Sequence, residues 1–209
     1  MVENYLRQST LASLGLSALE AREVGGKTGV KMGEKPFHGQ IGLRGDVADQ
    51  TFLEATEKAL GFALPLTPNT TTGKASKSAF WLGPDEWLIT TAPDAAPKLL
   101  VSLTDKLTDQ HVAVFDVSDS RTIIEISGIN ARDVLMKGCN IDFHPRHFGP
   151  GQCAQSTLAL AHVLVHQTAL NKRTGAPTYH VYVHRSFAEY LWAWLEDAAA
   201  EYGIGIISG

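Results

Sequence analysis

The chain has 209 residues, 44% of them hydrophobic, with 18 Lys and Arg against 22 Asp and Glu, for a formal net charge of −4. That is enough apolar material for one substantial core or two small fused units. The mild acidity without any basic block excludes an electrostatic nucleic-acid surface, and no run reaches the roughly 18 apolar residues that span a bilayer.

The first residues carry no basic region followed by an apolar stretch, so they do not read as a signal peptide. Residues 1–39 are short on apolar periodicity and rich in Gly, Ser, Lys and Glu. They are expected to form an extended arm, with Gly25-Gly26-Lys27-Thr28-Gly29 and Gly33-Glu34-Lys35-Pro36 as loops. Residues 40–209 are expected to form one compact α+β domain built from two halves, 40–118 and 121–207. Residues 40–44 alternate as a strand should, and Asp46 stands where it can cap a helix carrying Phe52, Leu53, Ala59 and Leu60 inward. The polar run over residues 67–74 reads as a loop. Strands follow around Ala79-Phe80-Trp81-Leu82 and Glu86-Trp87-Leu88-Ile89, joined by the turn residues Gly83-Pro84-Asp85. Asp94 is placed to cap a helix with Pro97 in its first turn and Leu99, Leu100, Leu103 and Leu107 on one stripe. Residues 112–117 close the first set as a strand.

The order β-α-β-β-α-β then repeats. Residues 122–127 are a strand. Asn130 is the expected cap of a helix bearing Ala131, Val134, Leu135 and Gly138. Residues 155–166 and 179–184 supply further strands. Ser186 is the expected cap of a helix with Phe187, Tyr190, Leu191, Trp194, Leu195 and Ala198 at i, i+3, i+4, i+7, i+8, i+11, and residues 204–207 offer a last strand. Two such units in tandem predict ferredoxin-like halves whose sheets join around one core.

Little in this pattern carries chemistry. Gly25-Gly26-Lys27-Thr28 lacks phosphate-loop spacing and a preceding apolar strand, and no dinucleotide fingerprint follows a strand. Of eight histidines, His144 with His147 and His162 with His166 form the suggestive pairs. On a strand, residues 162 and 166 share a face but lie about 13 Å apart, and neither pair has zinc spacing with Cys139 or Cys153. The cysteines read as reduced thiols in a cytoplasmic protein. Ser118-Asp119-Ser120-Arg121 reads as an inter-strand turn in which Asp119 and Ser120 bond to backbone and Arg121 pairs with an acid. Trp194 falls on the helical core stripe. Trp192 falls off it and is a candidate anchor for a partner, whereas Trp81 and Trp87 belong to strands. No catalytic, cofactor-binding or metal-binding residue is assigned.

Several segments together resemble the gamma subunit family of heterotetrameric sarcosine oxidase. They are Leu82-Gly83-Pro84-Asp85-Glu86-Trp87-Leu88-Ile89, Asp116-Val117-Ser118-Asp119-Ser120-Arg121 and Ile126-Ser127-Gly128. The longest runs from Ala131-Arg132-Asp133-Val134-Leu135 through Met136-Lys137-Gly138-Cys139-Asn140-Ile141-Asp142-Phe143-His144-Pro145. Phe148-Gly149-Pro150-Gly151 and Arg185-Ser186-Phe187-Ala188-Glu189-Tyr190-Leu191-Trp192 complete the set, which covers roughly residues 40–200. The resemblance implies a fold like the folate-binding domain of glycine-cleavage aminomethyltransferases. It also implies membership of a heterotetramer that demethylates sarcosine oxidatively to glycine, hydrogen peroxide and 5,10-methylenetetrahydrofolate. FAD, FMN and NAD would then belong to partner subunits and none to this chain, whose partners would be the alpha, beta and delta subunits. Aminomethyltransferases carry an Asn-Asp pair after the corresponding helix. Here Asn140-Ile141-Asp142 has an inserted Ile, which turns one of the two side chains away. A second reading takes the chain as a small stand-alone folate-binding or aminomethyltransferase-like enzyme using Asp142. As a subunit without chemistry, the chain is expected to dock residues 1–39 on the large flavin-binding subunit, with Leu11, Leu14 and Leu16 as apolar anchors.

Overall fold

The computed structural model describes residues 6–16, 18 and 28–207. A single turn of 3-10 helix (Ala12–Leu14) precedes β1 (Val30–Lys35). The first half then runs β2 (His38–Arg44), α1 (Gln50–Leu60), β3 (Thr71–Lys74), β4 (Lys77–Gly83), β5 (Glu86–Pro93), α2 (Ala96–Lys106) and β6 (Ala113–Asp116). The second half runs β7 (Arg121–Ser127), α3 (Ala131–Met136), β8 (Cys153–Leu158), β9 (Ala161–Leu170), β10 (Pro177–His184), α4 (Ala188–Ala199) and β11 (Ile204–Ile206). The protein is a mixed α+β structure.

The five-stranded sheet has the order β3-β4-β5-β2-β6, and every pairing in it is antiparallel. Without the edge strand β3, this is the ferredoxin-like arrangement that the element order predicts. Residues 71–74 were expected as loop. They pair with β4 instead, and the hairpin turns at Ala75, whose φ of 56° lies in the left-handed region. The six-stranded sheet has the order β11-β1-β7-β10-β9-β8. It too is ferredoxin-like, with one interruption: β1 lies between β7, its antiparallel neighbour, and β11, which it meets in parallel.

The insertion of β1 corrects the expected arm. Val30 and Met32 are fully buried in the second half's core, so the sheet begins nine residues or so before the boundary expected at residue 39. The alternation Val30, Met32, Glu34 is too short and too interrupted by Lys and Gly to read as a strand. Its partners, β7 and β11, supply the pattern. Leu11 also belongs to this core at 1% exposure, with Leu14 and Leu16 packed against it. The buried Glu34 carboxylate accepts hydrogen bonds from the Leu11 amide (3.3 Å) and the Thr122 hydroxyl (2.7 Å), which ties the N-terminal turn to β1 and β7. Leu11 therefore anchors the N-terminal segment to the chain's own core, with Leu14 and Leu16 partly buried beside it.

Two apolar clusters lie on the outer faces of the sheets. One joins Ile41, Ala79, Trp87 and Ile89 to α1 and α2, and the other joins Met32, Ile124, Val165 and Val181 to α3 and α4. A third, smaller cluster sits between the sheets, with Phe80 and Leu88 from one and Ile123, Leu164 and Tyr182 from the other. The layers are thus helix, sheet, sheet, helix. The helix starts differ in detail from those expected. Asp49, not Asp46, caps α1 by accepting from the Thr51 and Phe52 amides, while Asp46 bonds the Ala48 amide in the preceding turn. Asp94 does not cap α2. It sits at φ 61° and pairs with Arg7. Asn130 stands at the start of α3, but its amide donates to Asp133 rather than capping backbone. A 3-10 turn (Arg185–Phe187) replaces the cap expected at Ser186, so the buried stripe of α4 is Ala188, Leu191, Trp192, Leu195, Ala198 and Ala199. The stripe turns by about one residue. Trp192 is buried, and Trp194 becomes the partly covered ring, seated where a Cβ on Gly138 would come within 2.5 Å of it.

The burial of Leu11 sets a test. In the isolated chain, Leu11→Ala should cost about 2–5 kcal/mol of unfolding free energy, as for other buried leucines. Leu6→Ala, at an exposed position, should cost less than about 0.5 kcal/mol. Urea titration measures both. Equal, negligible effects would mean that Leu11 is not part of this core.

Candidate functional site

The side chains that face each other across the two sheets are more polar than those on the outer faces. Along β9, His162, Leu164 and His166 alternate with Val163 and Val165. Along β10, His180, Tyr182 and His184 alternate with Val181 and Val183. The valines face the helices and the alternating set faces the other sheet. Strand register turns this alternation into rows. Glu125, His180, His166 and Cys153 lie side by side across β7, β10, β9 and β8. Ile123, Tyr182, Leu164 and Gln155 form the next row. The outermost pairs are Arg121 with His184 and His162 with Thr157, and the pairing of Val183 with Val163 sets His184 opposite His162.

The inner row is closed. His166 is buried against the Phe80 ring, with centroids 4.9 Å apart, and burial pushes its pKa down to about 3, so it is neutral near pH 7. His180 Nε2 lies 3.2 Å from Glu125 Oε2, and Lys35 Nζ lies 3.5 Å from the same oxygen. His180 first and then Lys35 hold the Glu125 carboxyl below its ordinary range, against the effect of burial. His38 donates from Nδ1 to the Thr91 carbonyl at 2.9 Å, since the carbonyl can only accept, and burial lowers its pKa. Cys153 is fully buried and its thiol is pushed up to about 12, which makes it a poor nucleophile. Cys139 is buried as well, and both thiols are free. Among the described residues, no group of three or more His, Cys, Asp or Glu side chains is arranged to hold a metal ion.

The outer row is open. It borders a cavity of about 430 Å³ between the sheets, lined by Arg121, His162, His184, Tyr182, Leu82 and Leu88 among others. Two hydrogen bonds cross from sheet to sheet beside it. Gln155 Nε2 donates to the Leu82 carbonyl (2.9 Å), and Gln40 Nε2 donates to the Arg121 carbonyl (2.9 Å). Arg121 is half-buried, and its guanidinium has no ion pair among the described residues. Glu86, the acid that acts on it, is engaged at 2.5 Å by Arg44.

The structure separates the other sequence candidates. His144 and His147 stay in an exposed loop, 6.2 Å apart, where His144 Nδ1 accepts from the Arg146 amide. Asp142 is exposed and accepts from the His144 amide at 2.9 Å, so its carboxylate fastens a turn and does not line the cavity. The turn is held to the core by Phe143 and Phe148, which pack edge-on to each other and against Tyr179. In the link between β6 and β7, Asp116 rather than Asp119 bonds the Ser118 amide and hydroxyl, and Ser120 Oγ donates to the Val117 carbonyl. Residues 25–27 of the expected loop lie outside the described residues. Sequence reading passed over His184, Tyr182 and Gln155, although the period-2 alternation of His and Tyr with Val on two consecutive strands is a visible sign of a polar inner face.

The fold is that of a protein with two sheets between helix layers, and it is shared with a solved glycine cleavage system aminomethyltransferase T from Bartonella henselae. That match has a TM-score of 0.65 at 12% identity over 87% of this chain and 48% of the other. The sarcosine oxidase gamma subunit family model matches residues 44–201. The sarcosine oxidase subunit gamma of Corynebacterium sp. (strain U-96) is 36% identical over 94% of this chain and 92% of its own length. The subunit gamma of an Arthrobacter species is 36% identical over 97% of both chains. A chain of the heterotetrameric sarcosine oxidase from Corynebacterium sp. U-96, solved in complex with pyrrole 2-carboxylate, superposes with a TM-score of 0.83 at 33% identity, covering 94% of this chain and 96% of that one. This chain belongs to the sarcosine oxidase gamma subunit family.

The closed inner row predicts a pH signature. A histidine whose pKa is about 3 when folded and about 6.5 when unfolded binds fewer protons in the native state. Its contribution is full above pH 6.5 and is lost as the pH falls toward 3, by up to about 1.4 kcal/mol per pH unit. His38 acts in the same direction. His166→Phe should flatten the stability profile between pH 6.5 and 5 by close to one proton, measured as urea unfolding free energy against pH. An unchanged slope would show that His166 is not held neutral in the fold.

Proposed function

We propose that this chain is a non-catalytic subunit that supports assembly of a heterotetrameric sarcosine oxidase, with alpha, beta and delta subunits as its partners. The observation that carries this reading is the family match, which spans most of the fold at 36% identity to gamma subunits over nearly their whole length. In this reading FAD, FMN and NAD reside on the partners, which oxidise sarcosine to glycine and hydrogen peroxide and pass the one-carbon unit to tetrahydrofolate. The site chemistry is consistent with it. The buried thiol of Cys153 and the neutral His166 are enclosed between sheets, and Asp142 is occupied by its turn. A glycine-rich phosphate cradle at the start of a helix is not among the described elements. Among the described residues no helix is long and apolar enough to cross a membrane, which fits a cytoplasmic assembly.

Contact with partners falls to side chains that the fold leaves uncovered. Trp192 is buried and unavailable for this. The aromatic pair Phe187 and Tyr190, at the start of α4, is 42% and 39% exposed with rings 6.5 Å apart, and aromatic side chains of this kind are enriched at interfaces.

The reading has two direct checks. The purified chain alone should show no flavin absorbance and no sarcosine-dependent peroxide, and should give no saturable heat with tetrahydrofolate. Stoichiometric flavin, or tetrahydrofolate binding abolished by Asp142→Asn, would point to a stand-alone enzyme instead. Replacing both Phe187 and Tyr190 by Arg should leave the unfolding free energy within about 0.5 kcal/mol of wild type and reduce co-purification with co-expressed partner subunits at least tenfold. Undiminished recovery would place the interface elsewhere.

A further inference from the structure

We propose that the cavity between the two sheets is a binding site for a small carboxylate with an apolar body, its charged end held by Arg121 and flanked by His184 and His162. No part of the subunit assignment is needed for this inference. It starts from a cation with no counter-ion. Arg121 is half-buried, and burial opposes its charge. Its Coulombic partner Glu86 is taken by Arg44 at 2.5 Å. A guanidinium withdrawn from water without a paired acid is costly unless something else supplies the acceptors.

The sheet register says where those acceptors would come from. Arg121 pairs with His184 across β7 and β10, and His184 stands opposite His162, which pairs with Thr157. These side chains form one row along the cavity mouth. The fork of guanidinium N–H groups matches two carboxylate oxygens in a bidentate bond. Either ring can donate an N–H, and the Thr157 hydroxyl can donate as well. The next row inward holds Ile123 and Leu164 with two polar side chains, Tyr182 and Gln155, and the Gln155 amide is already spent on the Leu82 carbonyl. Leu82 and Leu88 from the facing sheet and Leu164 from β9 complete a greasy floor. A cavity of about 430 Å³ with one charged end and an apolar floor has the size and character of a small-molecule pocket. Among the described residues no acidic side chain lines it, and Glu86, the acid that acts on Arg121, is paired with Arg44. Two sources of the carboxylate fit this chemistry: a free organic acid, and an Asp or Glu side chain presented by another subunit. The geometry favours the free acid, because the floor extends behind the cation and a lone acidic side chain would leave it empty.

Benzoate, with benzamide as its uncharged isostere, probes the site by calorimetry on the full chain and on the assembled complex. Saturable benzoate binding to both is expected, with benzamide at least tenfold weaker. Arg121→Gln should weaken benzoate binding at least tenfold. His162→Ala, at the exposed mouth, should weaken it severalfold and serves as the second variant should Arg121→Gln fail to fold, as judged by circular dichroism. Benzoate binding to the free chain but not to the complex, with Arg121→Gln impairing assembly, would overturn the free-acid source in favour of a partner's acidic side chain. Equal binding of benzoate and benzamide, no binding to either form, or benzoate binding unchanged in the variants would overturn carboxylate recognition at Arg121.

Discussion

The structure depends on the place of one short strand. β1 lies between β7 and β11, so both of its edges are hydrogen-bonded within the second half's sheet. Two residues later, after Pro36 and Phe37, the same chain enters β2, which lies between β5 and β6 in the first half's sheet. The two sheets are thus joined by a two-residue link between a strand of one and a strand of the other. Gly128, at φ 119°, marks how close the approach is: a Cβ there would meet the Gly29 carbonyl oxygen at 2.3 Å. A side chain at that position would push β1 away from β7, and glycine alone combines the left-handed φ with the missing atom.

The seam between the sheets follows from this arrangement. Burying polar side chains is favourable only when they find partners. The inner faces meet that demand in part: the Nε2 groups of Gln40 and Gln155 bridge directly from one sheet to backbone carbonyls of the other, while Gln40 Oε1 and His166 Nδ1 are buried without a partner among the described residues. The apolar material of the seam is a modest cluster around Phe80 and Tyr182, while the larger apolar clusters lie under the helices. The seam therefore contributes orientation more than bulk stability. It fixes the two sheets at a spacing that leaves room at the Arg121 end and closes at the His166 end.

The legible part of the fold was the part written in local pattern. The apolar run Trp87-Leu88-Ile89, the leucine stripe of α2 and the turn at Gly83-Pro84-Asp85 each specify an element alone, and the repeated element order specified two ferredoxin-like halves. What was illegible depended on distant partners. Residues 30–35 carry a broken alternation that becomes a strand only between β7 and β11, and Leu11 reads as part of a polar arm until Glu34 and Thr122 hold it down. In α4 two apolar stripes compete. Phe187 and Tyr190 lie on one and Ala188 and Trp192 on the other, and packing against the second half's sheet selects the latter. The candidate site failed to emerge from sequence for the same reason. Arg121, His184 and His162 stand far apart along the chain, and only the strand register sets them in one row.

The central claim is that β1 is an integral strand of the six-stranded sheet rather than the end of an extended arm. Native-state hydrogen exchange on the isolated full-length chain measures this directly, residue by residue. The account predicts that the amides of Met32 and Glu34 exchange only through global unfolding, with protection equal to that of Ile124 and Val181 in the neighbouring strands. Exchange of the β1 amides at the rate of the exposed edge strand β3, with β7 and β10 still protected, would contradict it.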